Sequence, residues 1–153
     1  MENSNNQSED SSPISFVGTG FHDLSPFSAH EITVDGITCK TLEHAYQALR
    51  LKSGPERDEV LAARSPIEAW HRGQKYKHNS DLQIPDHDKY MFMERLCRIK
   101  LQQHDDVKQV LLDSKERELV KVSTTDYYWG TGADGTGENQ LGKIWMKLRD
   151  EIQ

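Results

Sequence analysis

Between Ser123 and Gly142 the chain gathers residues that can build a ligand pocket: Asp126, the aromatic run Tyr127, Tyr128 and Trp129, repeated glycines from Gly130 onward, and Asn139. Trp129 offers a flat apolar face for a base or a ribose, and glycines such as Gly130 let backbone N–H groups approach phosphate oxygens. Asn139 has the chemistry to bond a ribose hydroxyl, or to cap the helix that follows it. Carboxyl groups stand both here, at Asp126, and far upstream at Glu43. A pair of them is what general acid and base work requires. Each also has a plain structural reading. A carboxylate in a helix's first turn is favoured by the helix dipole by about 0.3 to 1 kcal/mol, and Asp is a common turn residue.

The elements that must position these groups are partly legible. Glu31 to Lys40 places β-branched residues on both sides of Asp35-Gly36, the dipeptide of a two-residue hairpin turn. Thr41 then caps a helix whose Leu42, Ala45, Tyr46 and Leu49 share one face. Tyr46 and Gln47 follow Glu43 by three and four residues and lie on its side of that helix, with Tyr46 also in the apolar stripe. A second helix opens at Pro55 and runs to Ala63, and a third starts with the capping box Ser65-Pro66-Ile67-Glu68 and ends at Gly73. Lys75 to Pro85 reads as a loop. A long helix follows from Asp86 to Gln103, then a shorter one capped by Asp105 and carrying Val107, Val110 and Leu111. Glu118 to Val122 alternates as a strand into the glycine loop, and Leu141, Ile144, Trp145, Leu148 and Ile152 repeat at helical spacing. Residues 1–12 are too polar to bury anything and read as a disordered tail, with one folded domain over 13–153. The fold class is α+β: a helix-rich single domain with a small antiparallel sheet.

Composition removes several functions. The chain of 153 residues carries a formal charge of −6, without the basic excess of a protein that grips a nucleic-acid backbone. A small nucleotide ligand fits that balance. No run of about 18 apolar residues and no leader-like start is present, which makes an intracellular, non-membrane protein the default. Cys39 and Cys97 lack a nearby partner and read as packed thiols. The seven histidines form no pair at helical metal-binding spacing, so no metal and no cofactor is expected. Gly130 to Gly135 spells G-x-G-x-x-G, but the chain ends before the second strand and acidic residue of a dinucleotide fold. An EF-hand order of calcium ligands is missing around Asp134 and Glu138.

Two signatures carry a family resemblance. Leu24-Ser25-Pro26-Phe27-Ser28, Asp35-Gly36 and Thr41-Leu42-Glu43-His44-Ala45-Tyr46-Gln47-Ala48 form the first. The second comprises Asp126, Trp129-Gly130, Gly132, Gly137, Asn139 and Leu141-Gly142, continued into Met146 and Arg149. In order and separation they resemble the NADAR superfamily of YbiA-like proteins over Phe16 to Ile152, with Ser65-Pro66, Gly73 and Lys100 as intervening landmarks. The resemblance implies a YbiA-like fold and hydrolysis of the N-glycosidic bond between ribose C1 and a base amine. The substrate would be a phosphoribosylamino-pyrimidine intermediate of riboflavin synthesis, or ADP-ribosylated guanine in a nucleoside or nucleic acid. Cleavage of either kind runs through an oxocarbenium-like state or through ring opening to an imine.

A glycosidase needs one carboxyl to protonate the leaving group and one carboxylate to activate water or steady charge at C1. Glu43 is assigned the proton transfer and Asp126 the second part, the roles being interchangeable at this level. Phe27, Tyr46, Gln47, Trp129, Gly130 and Asn139 are the expected substrate-binding residues. The chain departs from the family at three places. Ala29 replaces a polar residue, His87 replaces a tryptophan whose loss would alter base stacking, and Arg50 replaces a lysine. Arginine stays protonated and forms no Schiff base, so Lys52 or Lys100 would have to supply one. A catalytically silent ADP-ribose or nucleotide-binding module is the alternative, and a protein adaptor without a pocket a third reading.

Overall fold

A computed structural model describes residues 10–153. In chain order the elements are β1 (Ile14–Ser15), β2 (Ile32–Val34), β3 (Ile37–Cys39), α1 (Leu42–Leu49), α2 (Pro55–Leu61), α3 (Pro66–Gln74), α4 (Lys89–Gln103), α5 (Asp105–Asp113), β4 (Leu119–Val120) and α6 (Gln140–Ile152). Asp35 and Gly36 both take positive φ, 50° and 80°, and close β2 onto β3 as an antiparallel hairpin with Val34 opposite Ile37. The helix-rich α+β class holds. One pairing lies outside the expected antiparallel sheet: β1 runs parallel to β4, with Ile14 opposite Leu119.

The expected disordered tail lies mostly outside the described residues. Its last part, residues 10–12, runs beside Arg117, whose Nε donates to the Ser12 carbonyl at 2.8 Å.

Thr41 caps α1 as its sequence requires, its hydroxyl accepting from His44 N–H. The helix does not, however, present one apolar stripe to a core and a polar face to water. All eight of its residues are buried, because α2 and α3 pack on the side that carries His44 and Gln47 while α4 and the hairpin pack on the other. Polar groups on such a helix need partners. His44 finds them in Thr41 Oγ1 and the Ala63 carbonyl, each within 2.9 Å.

Gly73 does not terminate α3, which continues to Gln74. A Cβ there would overlap the Gln47 side chain, so glycine is what lets α3 lie against α1. Ser65 caps α3 through Glu68 N–H, but the Glu68 carboxylate reaches Arg64 N–H and Arg72 rather than closing the box on Ser65. Smaller boundary differences have similar local causes. Asp88 is the cap of α4, after Asp86 turns the chain at φ 54°. His104 in extended conformation precedes α5, leaving Asp105 in its first turn. The strand at 118–122 is cut to two residues because the Lys121 N–H and carbonyl are taken by Asn139 Oδ1 and Thr131 N–H.

The main core is built on Phe16, Leu42, Leu96, Leu111, Ile144 and Trp145, all fully buried. Trp145 Nε1 donates to the Leu24 carbonyl and pins the 24–28 segment onto α6. The same segment is held from α4 by fully buried Lys100, whose ammonium donates to the Ser25 carbonyl and Ser28 Oγ. Burial lowers the Lys100 amine to about 8. A smaller cluster of Ala48, Leu51, Val60, Ala63 and Ala69 sits under α2 and α3. Among the described residues, no helix is long and apolar enough to cross a membrane.

Candidate active site

The start of α1, the loop after β4, the face of α3 and the Pro26–Phe27 turn enclose a cavity of about 760 Å³. From α1 it receives Glu43, Tyr46, Gln47 and Arg50, at the i, i+3, i+4 and i+7 positions of one helical face. The loop contributes Lys121, Asp126, Tyr127, Tyr128 and Trp129, and α3 contributes Ile67 and Trp70. Six of the eight residues singled out in the sequence therefore meet at one cavity: Glu43, Asp126, Phe27, Tyr46, Gln47 and Trp129.

Gly130 and Asn139 do not line it. Asn139 adopts left-handed backbone, φ 49° and ψ 43°, and does not cap α6 with its side chain. Its amide turns back to β4 instead, donating to the Leu119 carbonyl and accepting from Lys121 N–H, both at 3.0 Å. One donor and one acceptor of the amide are thereby spent within the protein, and Asn139 is buried away from the cavity wall. Gly130 is bare because a Cβ would press on the Lys121 carbonyl. Several of the loop's N–H groups are likewise turned inward: Thr131, Gly132 and Gly137 donate to the carbonyls of Lys121, Asp126 and Thr131. Gly132 and Gly137 thus spend their amides on the loop's own fold.

Asp126 is the latch of that loop. Oδ1 accepts from Tyr128 and Trp129 N–H at 3.1 and 2.8 Å, and Oδ2 pairs with Lys121 Nζ at 2.8 Å. Partial burial works against its charged form, but Lys121 and the two amides outweigh it and hold the carboxyl below the usual aspartate range. Glu43 is in the opposite condition. Its burial is nearly complete, and desolvation raises its pKa despite the Gln47 amide and the charges of Lys121 and Arg50; Asp126 adds to the rise. One cavity thus holds a carboxyl that resists ionisation beside one that favours it. Two such environments separate an acid from a base.

Gln47 orients the first of these. Its Nε2 donates to Glu43 Oε1 at 2.9 Å, and its Oε1 accepts from Arg50 at 2.5 Å. Arg50 also donates to the Gly73 carbonyl and stands 5.6 Å from the Tyr46 ring centroid. Arg50 therefore fixes the amide that fixes Glu43. Tyr46 packs edge-on to Trp129 and stacks on Phe92, joining the cavity wall to the core, and burial pushes its phenol up to about 12.

The structure corrects the expected substitutes for a Schiff-base lysine. Lys100 is enclosed in the core and Lys52 is exposed, and neither lines the cavity; Lys77, Lys89 and Lys121 do. His87 is also elsewhere, packed edge-on to Phe92 beside a separate cavity of about 320 Å³ with Arg57 and Arg95. Exposed Ala29 lines neither cavity. Sequence reading missed Arg50, Lys121 and Trp70 as wall residues. Arg50 had a usable signal, the spacing 43, 47, 50 on one helix face; Lys121 and Trp70 depend on how the loop and α3 fold back.

A small α+β domain that sets a carboxyl resisting ionisation and a carboxyl favouring it in one aromatic-walled cavity has the constitution of a hydrolase of glycosyl bonds. The NADAR domain model matches residues 15–153, and the chain belongs to that family. N-glycosidase YbiA of Escherichia coli (strain K12) is 33% identical over 146 residues, covering 91% of this chain and 88% of that protein. An N-glycosidase of Nostoc punctiforme is 33% identical over 137 residues, with 85% of each chain covered. A riboflavin biosynthesis protein of Vibrio vulnificus is 33% identical over 134 residues, which are 85% of this chain and 35% of that longer one. The NMR structure of E. coli YbiA matches with a TM-score of 0.80 at 32% identity, covering 94% of this chain and 86% of that one.

Proposed function

We propose that the chain hydrolyses the N-glycosidic bond between ribose C1 and a base amine, with Glu43 as the acid and Asp126 as the carboxylate. The opposed titration of these two residues in one cavity carries the reading. As the C1–N bond lengthens, Glu43 gives its proton to the leaving nitrogen and the electron pair of the bond goes with it. Positive charge spreads over C1 and the ring oxygen and is met by the Asp126 carboxylate. Water then adds to C1 and its proton passes to Asp126, leaving a free base amine and a ribose hydroxyl.

The cavity's size lies within the range of small-molecule sites. Trp129, Phe27 and Trp70 supply faces on which a base can stack, and Arg50, Lys77 and Lys89 supply positive charge for phosphate. A ribosyl nucleotide, either phosphoribosylamino-pyrimidine or ADP-ribosyl guanine, matches this wall, and relatives named as N-glycosidases and a riboflavin biosynthesis protein support it. Such substrates place the reaction inside the cell, in keeping with two buried free cysteines.

One observation favours the non-catalytic alternative, an ADP-ribose or nucleotide-binding module: Asp126 already accepts three hydrogen bonds within the loop. Incubation with riboflavin-pathway ribosylamines and with ADP-ribosylated guanosine, read by mass spectrometry, separates the two. Release of free base from either substrate is expected. Binding of ADP-ribose without release of base from any of them makes the chain a binding module.

A further inference from the structure

His30, His104 and Asp106 lie far apart in sequence, and none belongs to the cavity. One ligand atom from each falls within 4.8 Å of the other two. The two imidazoles meet edge-on, with ring centroids 4.8 Å apart. Both are oriented from behind by oxygen, as metal-binding histidines characteristically are. His104 Nε2 faces the Glu31 carbonyl, which only accepts, so that nitrogen carries hydrogen and Nδ1 of the neutral ring keeps its lone pair.

The hydrogen bonds around Ser28 fix the other ring. A hydroxyl donates once and accepts twice. Ser28 Oγ donates to the Asp23 carbonyl at 3.3 Å and accepts from Lys100 Nζ at 2.6 Å. His30 Nδ1 lies 2.8 Å from the same oxygen, and either atom of that pair can supply the proton. His30 Nε2 stands 2.7 Å from Asp106 Oδ2, and without a metal ion its N–H donates to that carboxylate. A metal ion bound here would take the place of that proton, with Nδ1–H then donating to Ser28 Oγ.

We propose that His30, His104 and Asp106 form a binding site for a divalent transition-metal ion of the zinc type. Two imidazoles and one carboxylate are a donor set for zinc, cobalt or nickel rather than for magnesium or calcium. Zinc bonds of about 2.0 to 2.2 Å in a tetrahedral site set ligand atoms roughly 3.3 to 3.6 Å apart, so the 2.7 Å His30–Asp106 contact opens while separations near the 4.8 Å limit of the cluster close. The closure falls to Asp106, whose side chain is 61% exposed and free to swing. Water completes the coordination, as in sites with three protein ligands. Lys100, one hydrogen bond behind His30, is the opposing charge nearby, and it is faced by Asp23 and Asp106. A bound ion would fasten the 28–31 segment to the start of α5.

The test uses the full chain, free of any affinity tag and stripped with chelator. Calorimetric titration with Zn²⁺ is expected to show one ion per chain. Co²⁺ is expected to develop visible d–d absorption that Zn²⁺ displaces. At zinc near 100 times Kd the thermal midpoint should rise by roughly 5 to 10 °C. His104→Gln and the exposed Asp106→Asn should each weaken zinc by tenfold or more, going by the loss seen when even outer-shell partners of metal sites are removed. His22→Gln, which changes an exposed histidine outside the cluster, should bind as the parent does. Absence of saturable uptake by the parent overturns the proposal and leaves a proton as the bridging cation. Parent-like zinc affinity in folded Asp106→Asn overturns it as well.

Discussion

Replacing Glu43 with glutamine lowers kcat by about 10²- to 10⁴-fold, the usual contribution of a positioned acid, while the Kd for a ribosyl nucleotide stays close to that of the parent. At about 1.4 kcal/mol per tenfold, this is a loss of transition-state stabilisation alone. Glutamine keeps the side chain's length and an oxygen to accept from Gln47 Nε2, so the Glu43–Gln47–Arg50 chain persists. The substitution also carries its own control for folding. Glu43 has a raised pKa in the folded state, so the folded chain holds that proton more tightly than the unfolded chain does. Stability is therefore lost as pH rises past the unfolded glutamate value. Glu43→Gln removes this loss and should melt no lower than the parent at neutral pH. A variant that melts as the parent does, binds as the parent does and still turns over at the parent's rate removes Glu43 from the reaction.

Asp126→Asn is the second large effect, with a different signature. An asparagine still accepts from Tyr128 and Trp129 N–H, so the turn survives, but the partner of Lys121 is lost and its ammonium faces the cavity unpaired. Turnover should fall by about 10²- to 10³-fold, since a negative charge aimed at the developing cation has become a neutral dipole. Stability should also fall, by about 1 to 3 kcal/mol for the disrupted charge-assisted bond. The pH behaviour changes too. Asp126 raises the pKa of Glu43 while Lys121 lowers it, so taking away the first and freeing the second brings the Glu43 pKa down. Residual activity in Asp126→Asn should decline at lower pH than in the parent. Thermal melts in parallel with pH–rate profiles check both parts.

What could be read in the sequence follows the range of the interactions. Asp35-Gly36, the Thr41 cap and the Leu141 to Ile152 periodicity are local signals, and each produced its element. The strand Ile14–Ser15 was invisible because its partner, Leu119–Val120, lies more than a hundred residues away. Gly73 looked like a helix end when the reason for it is a side chain on another helix, Gln47. Asn139 stood at the right position for a cap, but its left-handed backbone sends the amide to β4. The glycine loop suggested amides free for a phosphate, whereas the loop uses several of them to fold on itself. Arg50 read as a departure from a lysine pattern, and its guanidinium proves to be the anchor of Gln47. Spacing likewise gave no histidine pair, since His30 and His104 meet only through the packing of the 22–31 segment on α5.

The division of labour between Glu43 and Asp126 is tested most directly by the pH dependence of kcat/KM for a cleaved ribosylamine. The parent should lose activity with a one-proton slope as pH rises past the raised pKa of Glu43, while the small residual rate of Glu43→Gln, which has no proton to lose, stays flat over the same range. A parent profile without that decline, or a Glu43→Gln profile that keeps it, contradicts the assignment of Glu43 as the acid.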